Sequence, residues 1–266
     1  MNLSQFTSDG KFLMLALDHR GSFKKLMNPQ DPESVSDDQA IQLKKEIIES
    51  LKDLFSGLLI DEVWGLDAYQ VRSKPFLLPL EKTGYTDEQG ERVTELEYTV
   101  EQIKNLGASG AKLLLYFNPK GISAKKQIET AKKVMQNCKH NDFPFFLEIV
   151  TYGSGKGEVY QSVKMLQDEG VVPDVWKLEY PGTEEGCKEI TNLVHTIPWI
   201  LLTGGQTFDQ FKPELEQAIP AGAKGFLAGR ALWQEVCSLQ GEEKQKFLQV
   251  TLPERFKTIS DIAKMS

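Results

Sequence analysis

The stretch Pro173-Asp174-Val175-Trp176-Lys177-Leu178-Glu179-Tyr180-Pro181-Gly182 predicts a buried β-strand that ends at a Pro-Gly turn. Residues two apart on a strand point to the same side, so Lys177 and Glu179 are expected to share a face. Burial disfavours the ammonium form of a lysine, which lowers its pKa from about 10.4 and leaves the amine able to act as a nucleophile. The alternative interpretation is a lysine that pairs with a carboxylate for structural reasons.

Similar apolar runs precede and follow this strand in the sequence, and helical or loop segments separate them. The runs are Phe12–Leu17, Leu58–Trp64, Pro75–Leu80, Ala111–Phe117, Phe143–Val150, the run that contains Lys177, Trp199–Leu202 and Gly225–Ala228. Eight alternations of strand and helix without a linker, in a chain of 266 residues, predict an α/β fold with a single (β/α)8 TIM barrel over residues 1–266. An open, doubly wound sheet is the alternative, because periodicity alone does not show closure.

Two helical segments have recognisable ends. Ser36 and Gln39 form a capping box, which predicts that a helix begins there. We expect this helix to end at Gly57, after a stripe of apolar residues formed by Ile47, Ile48, Leu51, Leu54 and Phe55. The tail Glu242–Ser266 predicts one or two extra C-terminal helices packed outside the barrel.

The composition excludes several classes of partner. The formal net charge of −7 argues against general binding to nucleic acids or membrane surfaces, although it allows a local anion site. Cys138, Cys187 and Cys237 are odd in number and widely spaced, which favours buried thiols in a reducing compartment over a disulfide framework. No stretch reaches the roughly 18 apolar residues of a membrane span, and the N-terminus lacks a signal-peptide core. We therefore expect a cytoplasmic protein, and the sequence leaves a homo-oligomer open.

Polar side chains occur at the strand ends, where a barrel of this kind carries its chemistry. Asp18 ends the first run, Lys112 opens the fourth and Glu148 lies near the end of the fifth. A buried carboxylate is unfavourable unless it is paired or functional, and a general acid or base needs a raised pKa, so Glu148 is expected to be functional. Lys112 is expected either at the barrel floor or beside Lys177, whose pKa it would then lower further.

The polar residues after the second and third runs fit structural roles as well as functional ones. For Asp61 and Glu62 we favour a structural role, namely an ion pair with Arg72 at the barrel rim. The Glu81-Lys82 pair is equally compatible with a solvated turn and with a place in the functional site.

The last two runs are followed by residues that can bind an anion. Thr203-Gly204-Gly205 follows the seventh run and Gly229-Arg230 follows the eighth, which are the positions where such barrels frequently bind phosphate. Glycines let backbone N–H groups approach an anion, and the arginine offers a bidentate donor. Gly-Gly alone is weak evidence, but both pairs at these positions predict a phosphate site.

The number and placement of the histidines argue against a zinc site. Zinc-dependent barrel aldolases need several histidine ligands at strand ends, and only His19 is so placed, because His140 and His195 precede strands. A carboxylate-bound magnesium stays open on these grounds. We expect neither a metal ion nor another cofactor in the reaction.

Several segments together resemble one family, the class I (Schiff-base) aldolases of the tagatose-bisphosphate aldolase kind. The segments that carry the resemblance are Leu15-Ala16-Leu17-Asp18-His19-Arg20-Gly21-Ser22, Glu81-Lys82-Thr83-Gly84-Tyr85, Ala111-Lys112-Leu113-Leu114-Leu115-Tyr116, Phe146-Leu147-Glu148, Val175-Trp176-Lys177-Leu178-Glu179 and Gly222–Trp233. The last of these is also very similar to the sulfofructose-phosphate aldolase branch. The likeness extends from about residue 12 to residue 236.

Other segments are more similar to the 2-deoxy-5-keto-gluconate 6-phosphate aldolase domain of inositol catabolism. These segments are Leu59–Gly65, Phe117–Gly121 and Gly170–Lys177. All three branches yield dihydroxyacetone phosphate as the ketone half, so the mixed resemblance leaves the reaction class intact and the sugar open.

The resemblance implies a role for each predicted site residue. Lys177 would form the iminium with the substrate ketone, and Glu148 would handle the proton of the hydroxyl whose deprotonation starts retro-aldol cleavage. Asp18 and Lys112 would hold substrate hydroxyls. The phosphate would lie at Thr203, Gly204, Gly205, Gly229 and Arg230, with Glu179 on the same site. Arg20 and Lys82 are candidates for a second anionic group.

Two other functions are compatible with the same residues. One is a phosphosugar-binding regulatory protein on an aldolase scaffold, since a binding site and an interaction surface can coexist on one barrel. The other is a barrel isomerase or epimerase that uses Glu148 without a covalent step.

Overall fold

Eight parallel strands close into a barrel in this computed structural model, which describes residues 2–152 and 158–265. The strands are β1 (Thr7–Ser8), β2 (Lys11–Leu17), β3 (Gly57–Ile60), β4 (Phe76–Pro79), β5 (Thr86–Glu88), β6 (Glu91–Val93), β7 (Gly110–Phe117), β8 (Phe145–Thr151), β9 (Val175–Leu178), β10 (Trp199–Leu202) and β11 (Gly225–Ala228). The barrel order is β2-β3-β4-β7-β8-β9-β10-β11, and β2 pairs in parallel with both β3 and β11. The predicted (β/α)8 barrel is therefore confirmed, and the open-sheet alternative is wrong.

The helices lie in the connections and cover the outside of the barrel. They are α1 (Gly21–Met27), α2 (Asp37–Leu51), α3 (Gly65–Ala68), α4 (Val100–Asn105), α5 (Ala124–His140), α6 (Glu158–Asp168), α7 (Glu184–Val194), α8 (Phe208–Ala218), α9 (Arg230–Trp233), α10 (Gly241–Lys246) and α11 (Leu252–Lys264). Helix α2 begins at the predicted capping box but ends at Leu51, so Leu54 and Phe55 follow it. Gly57 does not end this helix, because it is the first residue of β3. A Cβ there would lie 3.1 Å from the ring of Phe6, so close packing explains the glycine.

The C-terminal tail packs on the outside of the barrel as predicted. A π-helical turn, Phe247–Thr251, joins α10 to α11. Arg255 of α11 donates hydrogen bonds of 3.0 and 2.9 Å to the two carboxylate oxygens of Glu235. None of the described helices combines the length and the apolar character that crossing a bilayer requires.

The inside of the barrel is apolar at its floor and charged at its mouth. The buried interior cluster consists of Phe6, Phe12, Met14, Ala16, Leu59, Leu77, Phe146, Val175, Ile200 and Leu227. Phe146 and Val175 are neighbours in the register of β8 and β9, and inward positions recur every two residues along a strand. The next inward residues are therefore Glu148 and Lys177. They lie side by side on the two neighbouring strands, one layer nearer the mouth.

An insertion after β4 forms a hairpin, β5–β6, at one side of the barrel mouth. Glu88 of the hairpin pairs with Lys126 on α5. Glu91 accepts hydrogen bonds from the hydroxyls of Tyr152, at 2.6 Å, and Ser123, at 2.9 Å. These contacts fix the hairpin against the connections that follow β7 and β8. The sequence analysis did not predict it, because each strand has only three residues.

Candidate active site

A cavity of about 370 Å³ opens at the carboxyl ends of the barrel strands. Every residue that the sequence analysis placed in the site lines it, namely Asp18, Arg20, Lys82, Lys112, Glu148, Lys177, Glu179, Thr203, Gly204, Gly205, Gly229 and Arg230. Residues from seven of the barrel strands and their loops thus meet at one place. This convergence makes the cavity the candidate active site, while the individual roles of these residues stay predictions.

The predicted nucleophile and its proton acceptor are in contact. The Nζ of Lys177 lies 2.8 Å from Oε2 of Glu148, and the two residues are only 4% and 6% exposed. This contact depends on the parallel register of β8 and β9, which places the two residues side by side. A proton can pass directly between the amine and the carboxylate over such a distance.

Lys112 lies inside the barrel beside the reactive pair and not at the floor. Its Nζ is 3.0 Å from Oδ2 of Asp18 and 3.2 Å from Oε2 of Glu148, and it also pairs with Glu81. Burial lowers the pKa of Lys112, but the three surrounding carboxylates outweigh burial and raise this pKa well above its usual value. Glu148 therefore lies between two lysines, and its surroundings favour the charged form of Lys112.

The expected raised pKa of Glu148 is wrong. Burial raises it, but the ammonium groups of Lys177 and Lys112 together outweigh burial, so the pKa of Glu148 lies below its ordinary value. The same balance of burial against cations, with Lys112 the foremost of them, holds the pKa of Asp18 well below its usual range. Both side chains are therefore carboxylates near neutral pH, and Glu148 is in the form that accepts a proton.

Glu81 is a member of this charged cluster that the sequence analysis left undecided. Besides pairing with Lys112, its carboxylate accepts a hydrogen bond of 3.1 Å from the backbone N–H of Leu114. Burial raises the pKa of Glu81, although Lys112 opposes this effect. Its position at the end of the third apolar run was the available signal, but a turn gives the same pattern.

Glu179 shares the cavity with Lys177, as predicted, but its carboxylate is already engaged. It accepts hydrogen bonds from the backbone N–H of Thr151, at 2.8 Å, and from the hydroxyl of the same residue, at 2.7 Å. Burial raises the pKa of Glu179 above its ordinary value. These contacts join the end of β9 to the end of β8, next to the reactive pair.

The predicted phosphate residues form a second part of the cavity. Gly204 and Gly205 have positive φ angles of 53° and 78°, a backbone conformation that favours glycine. A Cβ on Gly205 would lie 2.7 Å from a terminal nitrogen of Arg230, so the guanidinium packs directly on this backbone. Arg230 itself has no carboxylate within ion-pair distance among residues 2–152 and 158–265. It is a cation available to an anionic ligand.

Arg20 and Lys82 line the cavity but already have carboxylate partners. The Nη1 of Arg20 lies 2.6 Å from Glu62 and 3.0 Å from Glu97. Lys82 lies 3.0 Å from Glu95, and its side chain is 57% exposed. The prediction that these two cations bind a second anion stays a prediction, and an anion there would have to compete with glutamates.

The predicted ion pair of Asp61 and Glu62 with Arg72 is wrong. Asp61 pairs with Lys44 of α2, both residues are 0% exposed, and Glu62 pairs with Arg20. Arg72 instead donates to the carbonyl of Leu106. Sequence order could not reveal the partner, because helix α2 lies across the outside of β3 only after the barrel has closed.

Lys44 supports the loop that carries Asp18, and the sequence analysis missed it. Its Nζ donates hydrogen bonds to the carbonyls of Leu17, at 2.7 Å, and His19, at 2.9 Å, the two neighbours of Asp18 in the chain. The signal was a lysine on the apolar stripe of helix α2, where only a paired charge is tolerated.

His19 is neutral in this site. Burial lowers its pKa to about 4, although Asp18 opposes the shift, and its ring packs edge-on against Trp233. Within the described ranges, no three His, Cys, Asp or Glu side chains converge in a way that could hold a metal ion. The expectation of a metal-independent reaction stays a prediction.

Comparison with known proteins links this sequence to aldolases. The model of the family described as DeoC/LacD family aldolase matches residues 12–235. A tagatose 1,6-diphosphate aldolase of Staphylococcus aureus (strain bovine RF122 / ET3-1) is 30% identical over 304 aligned positions, which cover 97% of this chain and 91% of that protein. The protein of strain MSSA476 matches with the same identity and coverage.

Solved structures support the fold. An archaeal fructose 1,6-bisphosphate aldolase is similar with a TM-score of 0.70 at 21% identity, covering 96% of this chain and 98% of that chain. A fructose-bisphosphate aldolase of Plasmodium falciparum is similar with a TM-score of 0.77 at 14% identity, covering 98% and 92% of the two chains. At these identities the likeness concerns the barrel architecture and not the reaction.

Proposed function

The chain belongs to the DeoC/LacD family of aldolases, which makes it a carbon–carbon lyase, and we propose that it cleaves a phosphorylated ketose or keto-sugar acid through a Schiff base on Lys177. The observation that carries this proposal is the buried amine of Lys177, which lies 2.8 Å from the carboxylate of Glu148 on the wall of the cavity. An amine in this position has a proton acceptor at hand and faces the space that a substrate would fill. The products would be dihydroxyacetone phosphate and an aldehyde.

Formation of the Schiff base needs an uncharged amine. In the proposed reaction Lys177 gives a proton to Glu148 and its lone pair attacks the ketone carbon, whose π electrons move to oxygen; a second proton then passes from the nitrogen to this oxygen, which gives the neutral carbinolamine. The carbinolamine carries no charge on nitrogen, so Glu148 loses one of the two cations that lower its pKa and holds the proton more firmly. It can then protonate the departing hydroxyl, which leaves as water and gives the iminium.

In the cleavage step the same carboxylate accepts a proton instead of donating one. The iminium withdraws electrons from the adjacent carbon–carbon bond, while Glu148 accepts the proton of the hydroxyl on the far carbon. The bond breaks, the aldehyde leaves, and the electron pair remains as an enamine on the ketone half. Protonation of the enamine carbon and hydrolysis of the imine release the ketone and restore Lys177. Asp18 and Lys112 would hold the substrate hydroxyls during these steps.

The phosphate of the ketone half would bind at Arg230 and the glycines of the last two strand ends. Replacing Arg230 with methionine is expected to raise KM for the phosphorylated substrate roughly 10- to 100-fold, because a hydrogen bond to a charged group contributes about 1.5–3 kcal/mol. Steady-state kinetics of aldol condensation with dihydroxyacetone phosphate would measure this loss. Unphosphorylated dihydroxyacetone is the control substrate, and an equal loss with both ketones would contradict the assignment.

The Schiff base itself can be tested by trapping. Sodium borohydride added with dihydroxyacetone phosphate is expected to inactivate the enzyme and to leave a mass adduct that peptide mapping places on Lys177. Turnover without a trapped adduct would favour the isomerase or epimerase alternative. Binding of the ligand with neither turnover nor adduct would favour the regulatory alternative. A chelator is expected to leave the rate unchanged, and a strict metal requirement would contradict the proposed mechanism.

A ketose and a keto-sugar acid both fit the proposal. The name of the staphylococcal relatives supports tagatose 1,6-bisphosphate. The segments that resemble the inositol-catabolic domain support 2-deoxy-5-keto-gluconate 6-phosphate. The two candidates share the phosphorylated ketone half and differ in the aldehyde half, which would end in a phosphate in the first and a carboxylate in the second.

A further inference from the structure

The cations around the barrel mouth differ in whether a carboxylate already neutralises them. Arg20 and Lys82 are each held by glutamates, as described above. Arg92, on strand β6 of the hairpin, has no carboxylate within ion-pair distance in the described part of the chain, where its side chain also donates no hydrogen bond. Arg92 is half-buried and does not itself line the cavity, but it lies against Tyr116, which does.

Three tyrosine rings hold Arg92 in place. Its guanidinium carbon lies 4.9 Å from the ring centre of Tyr85, 5.2 Å from that of Tyr152 and 5.9 Å from that of Tyr116. Cation–π contacts occupy the faces of a guanidinium, whereas its N–H donors point outward in the plane. The three rings therefore surround Arg92, and among the described residues its N–H groups donate to none of them. A cation that is already positioned loses little entropy when an anion binds.

The place of Arg92 in the barrel suits the far end of a substrate. Tyr116, which it contacts, is itself a lining residue of the cavity. The hairpin is inserted between β4 and β7, and in the closed barrel these strands are separated from β10 and β11 by β8 and β9 on one side and by β2 and β3 on the other. Strands β8 and β9 carry Glu148 and Lys177, so the reactive pair lies along the barrel wall between the hairpin and Arg230. A ketose bound with its phosphate at Arg230 would extend its aldehyde half toward Arg92.

We infer that Arg92, rather than Arg20 or Lys82, binds an anionic group at the end of the aldehyde half of the substrate. This inference rests on the proposed cleavage. It makes the hairpin the element that selects aldehydes with a terminal phosphate or carboxylate, because a guanidinium that no carboxylate of the described residues pairs favours either group over a hydroxyl.

Aldol condensation tests this role with three aldehydes and one ketone. Dihydroxyacetone phosphate is combined with glyceraldehyde 3-phosphate, with malonate semialdehyde or with glyceraldehyde, whose ends are a phosphate, a carboxylate and a hydroxyl. The wild-type enzyme is expected to prefer at least one anionic aldehyde, and the preferred one identifies the terminal group. Replacing Arg92 with methionine is expected to lower kcat/KM for that aldehyde roughly 10- to 100-fold and to change the value for glyceraldehyde less than about twofold.

Two further variants separate recognition from structure and charge. Arg92→Lys keeps a cation and is expected to retain part of the preference, although it loses the bidentate geometry. Lys139→Met, on an exposed turn of α5, changes the net charge equally and is expected to leave the preference intact.

Two results would overturn the inference. One is a wild-type enzyme that shows no preference for an anionic aldehyde, and the other is a preference that survives in Arg92→Met. Borohydride trapping with dihydroxyacetone phosphate alone reports on the ketone half. Trapping that succeeds while the aldehyde preference is absent would reject the role of Arg92 and leave the Schiff-base proposal standing.

Discussion

Replacing Lys177 with methionine is expected to lower kcat for cleavage by about 10⁴-fold or more, because loss of a covalent nucleophile removes the whole pathway and not one interaction. Methionine has a similar length and fills the same space beside β8. Glu148 keeps Lys112 as a partner at 3.2 Å, so the substitution does not leave a buried carboxylate unpaired. We therefore expect the variant to fold, and the loss to be one of chemistry.

The measurement is a coupled assay for dihydroxyacetone phosphate release, together with borohydride trapping of the variant. Lys125→Met, on the exposed side of α5, is the matched control and is expected to behave as the wild type. Binding of dihydroxyacetone phosphate should persist in Lys177→Met, because Arg230 and its neighbouring glycines are untouched. Substantial turnover by this variant would end the Schiff-base proposal.

Replacing Lys44 with methionine is expected to destabilise the protein by about 3–5 kcal/mol, because it leaves the charge of Asp61 buried without its partner. The ion pair is 0% exposed at both residues, so water cannot take the place of the ammonium group. The carbonyls of Leu17 and His19 lose a donor at the same time. Against a typical total of about 5–15 kcal/mol, this is a large fraction of the free energy of unfolding.

Urea unfolding at neutral pH measures the effect, with Lys44→Met/Asp61→Asn as the comparison. The double variant removes both charges, so we expect it to recover part of the lost stability. Asp61 also accepts hydrogen bonds from the N–H groups of Val63 and Trp64, which an asparagine oxygen can still receive. A loss below about 1 kcal/mol in the single variant would show that Lys44 matters little for stability.

The barrel strands were predictable because each depends on a short, local pattern. The bounds of β10 and β11 agree with the apolar runs Trp199–Leu202 and Gly225–Ala228. Inward positions repeat every two residues, so a charged residue near the end of a run, such as Glu148, is carried to the mouth once a barrel forms. The sequence therefore indicates the twelve predicted residues that line the cavity, whereas the pattern around Glu81 fits a turn equally well.

Contacts between distant segments were not predictable in the same way. Asp61 had several possible partners by sequence, and the closed barrel selects Lys44, 17 residues away, over Arg72. The cage of tyrosines around Arg92 joins residues of the hairpin to the ends of β7 and β8. No local pattern encodes these pairings, because they depend on where separate connections end in space.

The sequence by itself determined the barrel and most of the polar side chains that line its cavity, since strand periodicity and the polarity of strand ends are properties of neighbouring residues. Only the tertiary structure decided the charge state of the site. Lys112 meets Asp18 across 94 residues of chain and also lies 3.2 Å from Glu148. These contacts reverse the expected direction of the pKa shift of Glu148, because the electrostatic energy of a buried group depends on the charges within a few ångströms and not on its neighbours in sequence.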